Sequence, residues 1–337
     1  MTDNPAAPDF PSSPLNRRIV TTRPAAARIW NYWLGGGDYY EVDRKAGDEI
    51  RRLYPSIGDY ARADRQFLGR AVRHLAAEVG IRQFLDIGAG LPTAENTHEV
   101  AQHIAPDSRI VYVDNDPLVL VHARALLTSA PEGRTDHVDE DLRNVDSVLA
   151  HAARTLDLTR PVALLLLDVL AFIRDDEDPD GIVRRLLDAL PRGSHLVLSH
   201  TITSPEWPDV DIAAAWWNEH GIPPLTQRTP ERIARFFDGL DLLEPGVVPC
   251  TRWRPDTPAT PLAGNRRSCP CTAEWEPSRD GNGPGRGCTN RTRSARRTSR
   301  SGAPSSTTTS TTGSGHHEPD AGIRRRGPVN MCRPPHV

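Results

Sequence analysis

Lysine is almost absent from this 337-residue chain: Lys45 stands alone among 41 basic residues. Such an arginine surplus reads as codon usage in a GC-rich genome, so the arginine count is no argument for a nucleic-acid partner. Long apolar runs are also missing. The longest, VALLLLDVLAFI from Val162 to Ile173, is broken by Asp168 and falls short of the roughly 20 residues that a spanning helix needs. The opening MTDNPAAPDFPSSPLNRR has no basic start followed by an apolar stretch, so it does not follow the secretory-signal pattern. A cytoplasmic protein with no membrane association is expected. Cysteine pairs at metal-ligand spacing are lacking as well. Cys269, Cys271 and Cys288 with His316 and His317 match no standard zinc pattern, and no metal site is expected.

Charge is divided unevenly. From Gly264 onward 13 arginines face 5 acidic residues, a balance of +8, which leaves −11 on the preceding residues for a net −3. An acidic body repels phosphate backbones. A neutral or cationic small molecule therefore fits it better than a specific nucleic acid. Beyond Pro255 the chain turns to low complexity, as in RSARRTSRSGAPSSTTTSTTGSG, with too little apolar surface to offset ordering entropy. Residues 256–337 read as a disordered or aberrant tail. It is either a basic arm that binds polyanions weakly in low salt or the product of a shifted reading frame. Residues 1–24, rich in Pro, Ser and Asn, read as a disordered arm.

Between these ends, residues 25–80 carry helical periodicity and form a helical cap. Phe67, Leu68, Ala71, Val72 and Leu75 recur at three- and four-residue spacings, and Gly80 supplies a stop. In ARIWNYWLGGGDYYEVDR the run Gly35 to Gly37 has no Lys-Ser/Thr ending, so it is no P-loop; it breaks two cap helices.

Residues 81–255 alternate. The strand candidates are RQFLDIG, RIVYVD, TDHVDEDL, PVALLLLDVL and SHLVLSH. Between them lie helical segments such as PTAENTHEVAQHIA, PLVLVHARALLTSA, VDSVLAHAARTL and DGIVRRLLDALP. Apolar strands alternating with helices imply βαβ units and a parallel sheet covered on both faces, an α/β fold. TPERIARFFDGL forms one further helix, capped by Thr229. DLLEPGVVPCTRWRP reads as one or two strands that close an edge as an antiparallel hairpin.

Ligands of open α/β sheets bind outside the carboxyl ends of the strands. Those ends carry Asp86, Gly88 and Gly90; Asp114, Asn115 and Asp116; Asp141 and Leu142; Asp168; and Ser199 and His200. A single Asp there is ordinary turn chemistry, but a glycine-rich first turn with an acid after the second strand is a constellation. In DIGAGLPT a helix starting near Pro92 would aim free N–H groups at a ligand. The third glycine of a dinucleotide fingerprint is replaced by Thr93, which disfavours NAD(P). An adenosine ligand without pyrophosphate needs only the turn and the acid.

FLDIGAGLPT, VYVDNDPLVL and DEDLRN resemble the cofactor motifs of class I S-adenosylmethionine-dependent methyltransferases. ARIWNYWLGGGDYYEVDR, YVDNDPLVLVHARALL, GSHLVLSH and RFFDGLDLLEPGVV resemble more narrowly the actinobacterial S-adenosyl methyltransferase family that was once a domain of unknown function. The resemblance runs from about Arg23 to Pro255. It implies a Rossmann-like, doubly wound seven-stranded sheet with an antiparallel last strand and a helical N-terminal cap. It implies S-adenosyl-L-methionine as cofactor. Asp86, Gly88 and Gly90 would line its methionine side, Asp114 would hold the ribose, Asn115 would lie beside the adenine, and Asp141 and Leu142 would meet the adenine amino edge. Tyr32, Gly35, Gly36 and Asp38 would face the pocket from a lid. On that reading Gly36→Val weakens ligand binding far more than stability.

The family usually shows Asp where Asn31 stands, Lys at Gly37, Asn at Asp64 and His at Ala171. No catalytic residue is assigned; Asp168 and His200 are the candidate bases by position, and a capped, structural role for His200 is the stronger alternative. Trp30, Tyr32 and Trp33 either pack the core or wall a pocket where a sulfonium gains from ring faces. The functional expectation is methyl transfer to a small molecule. A cofactor-binding module without catalysis and, less favoured, an NAD(P) oxidoreductase are the alternatives.

Overall fold

The computed structural model describes residues 19–126 and 128–256. The expected arm up to residue 18 and tail from residue 257, with Cys269, Cys271, Cys288, His316 and His317, lie outside the described residues. Five strands form one sheet there: β1 Gln83–Ile87, β2 Arg109–Asp114, β3 Arg134–Asp139, β4 Ala163–Leu167 and β5 His195–Ser199. All neighbours run parallel, in the order β3-β2-β1-β4-β5. The order reverses between β1 and β4, which puts a crevice at their carboxyl ends.

Alternation along the strands builds two cores. Phe84, Ile110, Leu165 and Val197 point to one face, where they join residues of the N-terminal helices. Leu85, Val111, Leu164 and Leu196 point to the other. That double burial explains why the strands read as near-continuous apolar runs.

Helices α1 Ala26–Trp33, α2 Glu41–Leu53 and α3 Ile57–His74 precede the sheet. A π turn, Leu75–Val79, extends α3 until Gly80 ends it at φ +85. Arg28 and Asp43 tie α1 to α2 through a buried ion pair of 2.7 Å, with side chains 2% and 0% exposed. The Asp43 carboxylate also accepts from the Ala25 and Tyr40 N–H groups. Further helices are α4 Thr97–Ile104, α5 Pro117–Leu126, α6 Val145–Ala152, α7 Pro179–Asp188, α8 Pro208–His220 and α9 Pro230–Ala234. Thr229 caps α9 by accepting from Arg232 N–H. Among the described residues no helix is long and apolar enough to cross a membrane, and no cluster of His, Cys, Asp and Glu could hold a metal ion.

Two expectations are corrected. DLLEPGVVPCTRWRP forms no strand: after turns comes a single 3-10 turn, Cys250–Arg252, so the sheet has five parallel strands among the described residues, not seven with an antiparallel edge. Pro245, Pro249 and Pro255 remove ladder donors. Arg70 of α3 takes up the Cys250 and Trp253 carbonyls at 2.5 and 3.0 Å, and Phe67 meets the Trp253 ring edge-on at 5.5 Å. The segment is therefore bound to α3. The helix after β1 starts at Thr97, not near Pro92, because an Asn96–Glu99 capping box sets its first turn.

Candidate active site

A cavity of about 440 Å³ opens at the carboxyl ends of β1, β2 and β4. Its floor is the turn after β1. Gly88 and Gly90 hold φ of +78 and +67, a left-handed region open to glycine. A Cβ on Gly88 would lie 2.5 Å from the Val169 side chain, while one on Gly90 would meet nothing within 4 Å. The first glycine thus admits Val169 and the second leaves space for a ligand.

Asp86, Asp114, Asn115, Asp141, Leu142 and Asp168 all line this cavity with the two glycines. Asp114 accepts from Gly90 N–H at 2.9 Å and from Asp116 N–H at 2.8 Å, one bond per oxygen. Each oxygen retains a lone pair for a ligand hydroxyl. The Asn115 amide donates to Asp141 at 2.9 Å, and Arg143 pairs with Asp141 and Glu177. Asp86 accepts from the Thr97 hydroxyl at 2.6 Å. Burial pushes Asp86 and Asp114 up to about 6.

Asp168, at the end of β4, sits at φ +52, uncommon outside glycine. Its carboxylate accepts from Thr201 N–H at 2.7 Å and from the Thr201 hydroxyl at 2.9 Å. Burial, reinforced by the negative charge of Asp64, pushes it up to about 7. Asp64 is itself pushed up to about 6 by burial, and its Oδ1 has no hydrogen-bond partner in the protein.

His200 does not join them. It lies outside the cavity, stacked on Phe236 with ring centroids 6.4 Å apart. Its Nδ1–H donates to the Thr201 carbonyl at 2.7 Å, and its Nε2 accepts from Arg228 at 2.7 Å. Burial drives it down to about 3. A neutral imidazole with both nitrogens engaged and no place in the cavity lining fits the structural role rather than that of a base.

Tyr32, Gly35, Gly36 and Asp38 also lie outside the cavity lining. Along α1, Ala27, Trp30, Asn31 and Leu34 face it at i, i+3, i+4 and i+7, one helical face. Tyr32 falls on another face and donates to Asp48 at 2.5 Å. Gly36 and Asp38 act behind Asn31: a Cβ on Gly36 would strike the Asn31 amide at 2.3 Å, and Asp38 N–H donates to Asn31 Oδ1 at 3.0 Å. Trp30 walls this cavity, whereas Trp33 does not line it and belongs to the core cluster, against which Trp30 also packs. Ala171 is wholly buried, its carbonyl accepts from Thr226 N–H at 2.6 Å, and it is not among the residues that line the cavity.

Residues that strand-end reasoning missed are Arg65, Glu140 and Phe172, together with Asp64, noted only as a departure. The helical period of α3 puts Ala61, Asp64, Arg65 and Leu68 on one face, and that was the available signal.

Seven carboxylates (Asp64, Asp86, Asp114, Asp116, Glu140, Asp141, Asp168) face three guanidinium groups (Arg28, Arg65, Arg143) in the lining. Such a cavity attracts cations and repels a pyrophosphate. Donors at the entry to α4 are engaged as well: in the preceding loop Thr93 N–H donates to Asn96 Oδ1, and in the first turn His98 N–H donates to the Tyr112 hydroxyl. Both features oppose a dinucleotide.

The strand order, the paired left-handed glycines after β1 and the acid after β2 define a Rossmann-like α/β fold with its crevice at the switch between β1 and β4. The chain matches the model of the S-adenosyl methyltransferase family over residues 12–274 and belongs to that family. It is similar to a DUF574 family protein of Streptomyces avermitilis MA-4680, with 48% identity and a TM-score of 0.67 over 70% of this chain and 90% of that one. It is also similar to a candidate methyltransferase of Thermobifida fusca YX, with 41% identity and a TM-score of 0.66 over 71% and 89% of the two chains. A carboxy-S-adenosyl-L-methionine synthase of Chromohalobacter salexigens is 30% identical over 165 residues, 47% of this chain. That match spans about half, 52%, of the relative's length.

Proposed function

We propose that this protein transfers a methyl group from S-adenosylmethionine to a small-molecule acceptor. The observation that carries the reading is the excess of carboxylates around an open crevice at the switch in strand order. The residues fit the cofactor: the space above Gly90 is free, Asp64 Oδ1 lacks a partner, and Asp114 keeps lone pairs for a diol.

Asp114 would hold the ribose hydroxyls, with Asn115 beside the adenine, Asp141 accepting from its amino group and Leu142 offering its backbone. Gly88 and Gly90 allow close approach of backbone, and Asp86 and Asp64 present acceptors to the cationic methionine end. Bound there, the cofactor supplies a methyl carbon activated by a sulfonium leaving group. The protein's share is alignment, exclusion of water by Trp30 and Phe172 at the cavity wall, and proton acceptance at Asp168. A carboxyl near neutrality suits that last task.

Calorimetric titration with S-adenosylhomocysteine tests the reading. Wild type is expected to bind it, and Asp114→Ala to weaken binding by about tenfold or more, the cost of roughly one charge-assisted hydrogen-bond pair. Absence of binding by wild type, or NADH binding in its place, would refute it.

A further inference from the structure

A second cavity of about 80 Å³ opens beside the first and shares Trp30, Asp168 and Phe172 with it. Six rings wall it: Trp30, Trp33, Tyr54, Tyr60, Phe172 and Trp217. Against these stand one charged group, Asp168, and the hydroxyls of Thr201 and the tyrosines. The Tyr60 hydroxyl donates to Thr201 Oγ1 at 2.8 Å, and Thr201 Oγ1 donates to Asp168 at 2.9 Å. Asp168 is thus fixed where the two cavities meet. At about 10–15 Å³ per water-sized site the chamber takes about six heavy atoms, the size of one ring or a short alkyl chain.

Its chemistry selects by charge. Among the described residues no Arg, Lys or His lines the second cavity, while Asp64 adds a further carboxylate next to Asp168 from the α3 side. A cation gains there from the carboxylate and from ring faces. An alcohol or phenol giving up its proton at the same place would build negative charge beside two carboxylates, which opposes it.

Building on the methyl-transfer reading, we propose that this chamber is the acceptor site and that the acceptor is a small amine, its nitrogen at Asp168 and its carbon skeleton among the rings. The ammonium hands one proton to an Asp168 oxygen, and the nitrogen keeps the lone pair that attack on a methyl carbon requires. Burial and the neighbouring Asp64 raise Asp168 to about 7, so it can accept that proton near neutral pH and release it afterwards. Its left-handed backbone at φ +52 is a strain of the kind that persists at functional positions.

The test uses isoamylamine and its isostere isoamyl alcohol, each titrated at pH 8 into the full-length protein with tryptophan fluorescence as the readout. Wild type is expected to bind the amine at least about tenfold more tightly than the alcohol, and Asp168→Asn to erase that preference. Ala213→Phe, at a buried α8 position that lines the second cavity and not the first, is expected to block both probes while S-adenosylhomocysteine titrates as in wild type. Equal affinity for amine and alcohol in wild type, or a preference that survives in Asp168→Asn, overturns the proposal. The probes are read without cofactor, so failure of the amine site is separate from failure of wild type to bind S-adenosylhomocysteine, which would refute the methyl-transfer reading instead.

Discussion

Replacing Asp168 by Asn tests the electrostatics of the site without altering its shape. The amide oxygen can still accept from Thr201 N–H and Oγ1, as the carboxylate does at 2.7 and 2.9 Å. What disappears is the titration. Asp168 is raised from 3.8 to about 7 by burial and then by Asp64, with Thr201 and Tyr60 working in the opposite direction. In the unfolded chain it would ionise near 3.9. The folded state therefore holds the proton more tightly, and the associated stability is present at low pH and lost as pH rises to about 7. Between pH 5 and 8 that loss covers about two pH units at about 1.4 kcal/mol each, or about 3 kcal/mol. Urea unfolding of the wild type and Asp168→Asn at both pH values isolates the Asp168–Asp64 pair, which titrates together, because contributions from Asp86, Asp114 and the depressed His200 largely cancel in the difference. The variant should gain about 3 kcal/mol on the wild type on going from pH 5 to pH 8. A change below about 1 kcal/mol would show that Asp168 titrates close to its ordinary value and would remove the argument for proton acceptance there.

Other substitutions probe separate parts of the account. Gly88→Ala should destabilise by about 2–4 kcal/mol, combining the left-handed backbone with the Val169 contact, and thermal unfolding would register it. Asp43→Ala strands Arg28 in the interior and should cost about 3–5 kcal/mol, whereas the paired Arg28→Met, Asp43→Leu variant should recover most of it in urea unfolding. His200→Ala should cost about 2–4 kcal/mol through the cavity and the lost Arg228 partner. It should leave the pH profile of S-adenosylhomocysteine binding unmoved, and a shifted profile would return His200 to the site.

The parallel sheet was legible because its strands are buried on both faces and carry uninterrupted apolar runs. The strand-end residues Asp86, Gly88, Gly90, Asp114, Asn115, Asp141, Leu142 and Asp168 followed from that topology alone, and all of them line the crevice. Asp64 and Arg65 were harder to read, since they reach the site from a helix that precedes the sheet. Tyr32 lies outside the cavity lining, bonded to Asp48, because the helical period of α1 places Trp30 and Asn31 on the cavity face instead. The structural role favoured for His200 was legible from its strand-end position, but its partner Arg228, 28 residues away in sequence, was not. The expected closing strands failed where alternating apolar residues were outweighed by three prolines and by the grip of Arg70 on two carbonyls.

The most direct measurement is a crystal structure of the protein soaked with S-adenosylhomocysteine. The ribose hydroxyls are expected on Asp114, the adenine between Asn115 and Leu142 with its amino group at Asp141, and the sulfur turned toward the junction at Asp168. A ligand bound elsewhere, or one lying in the crevice with its adenine toward Asp168, would contradict it.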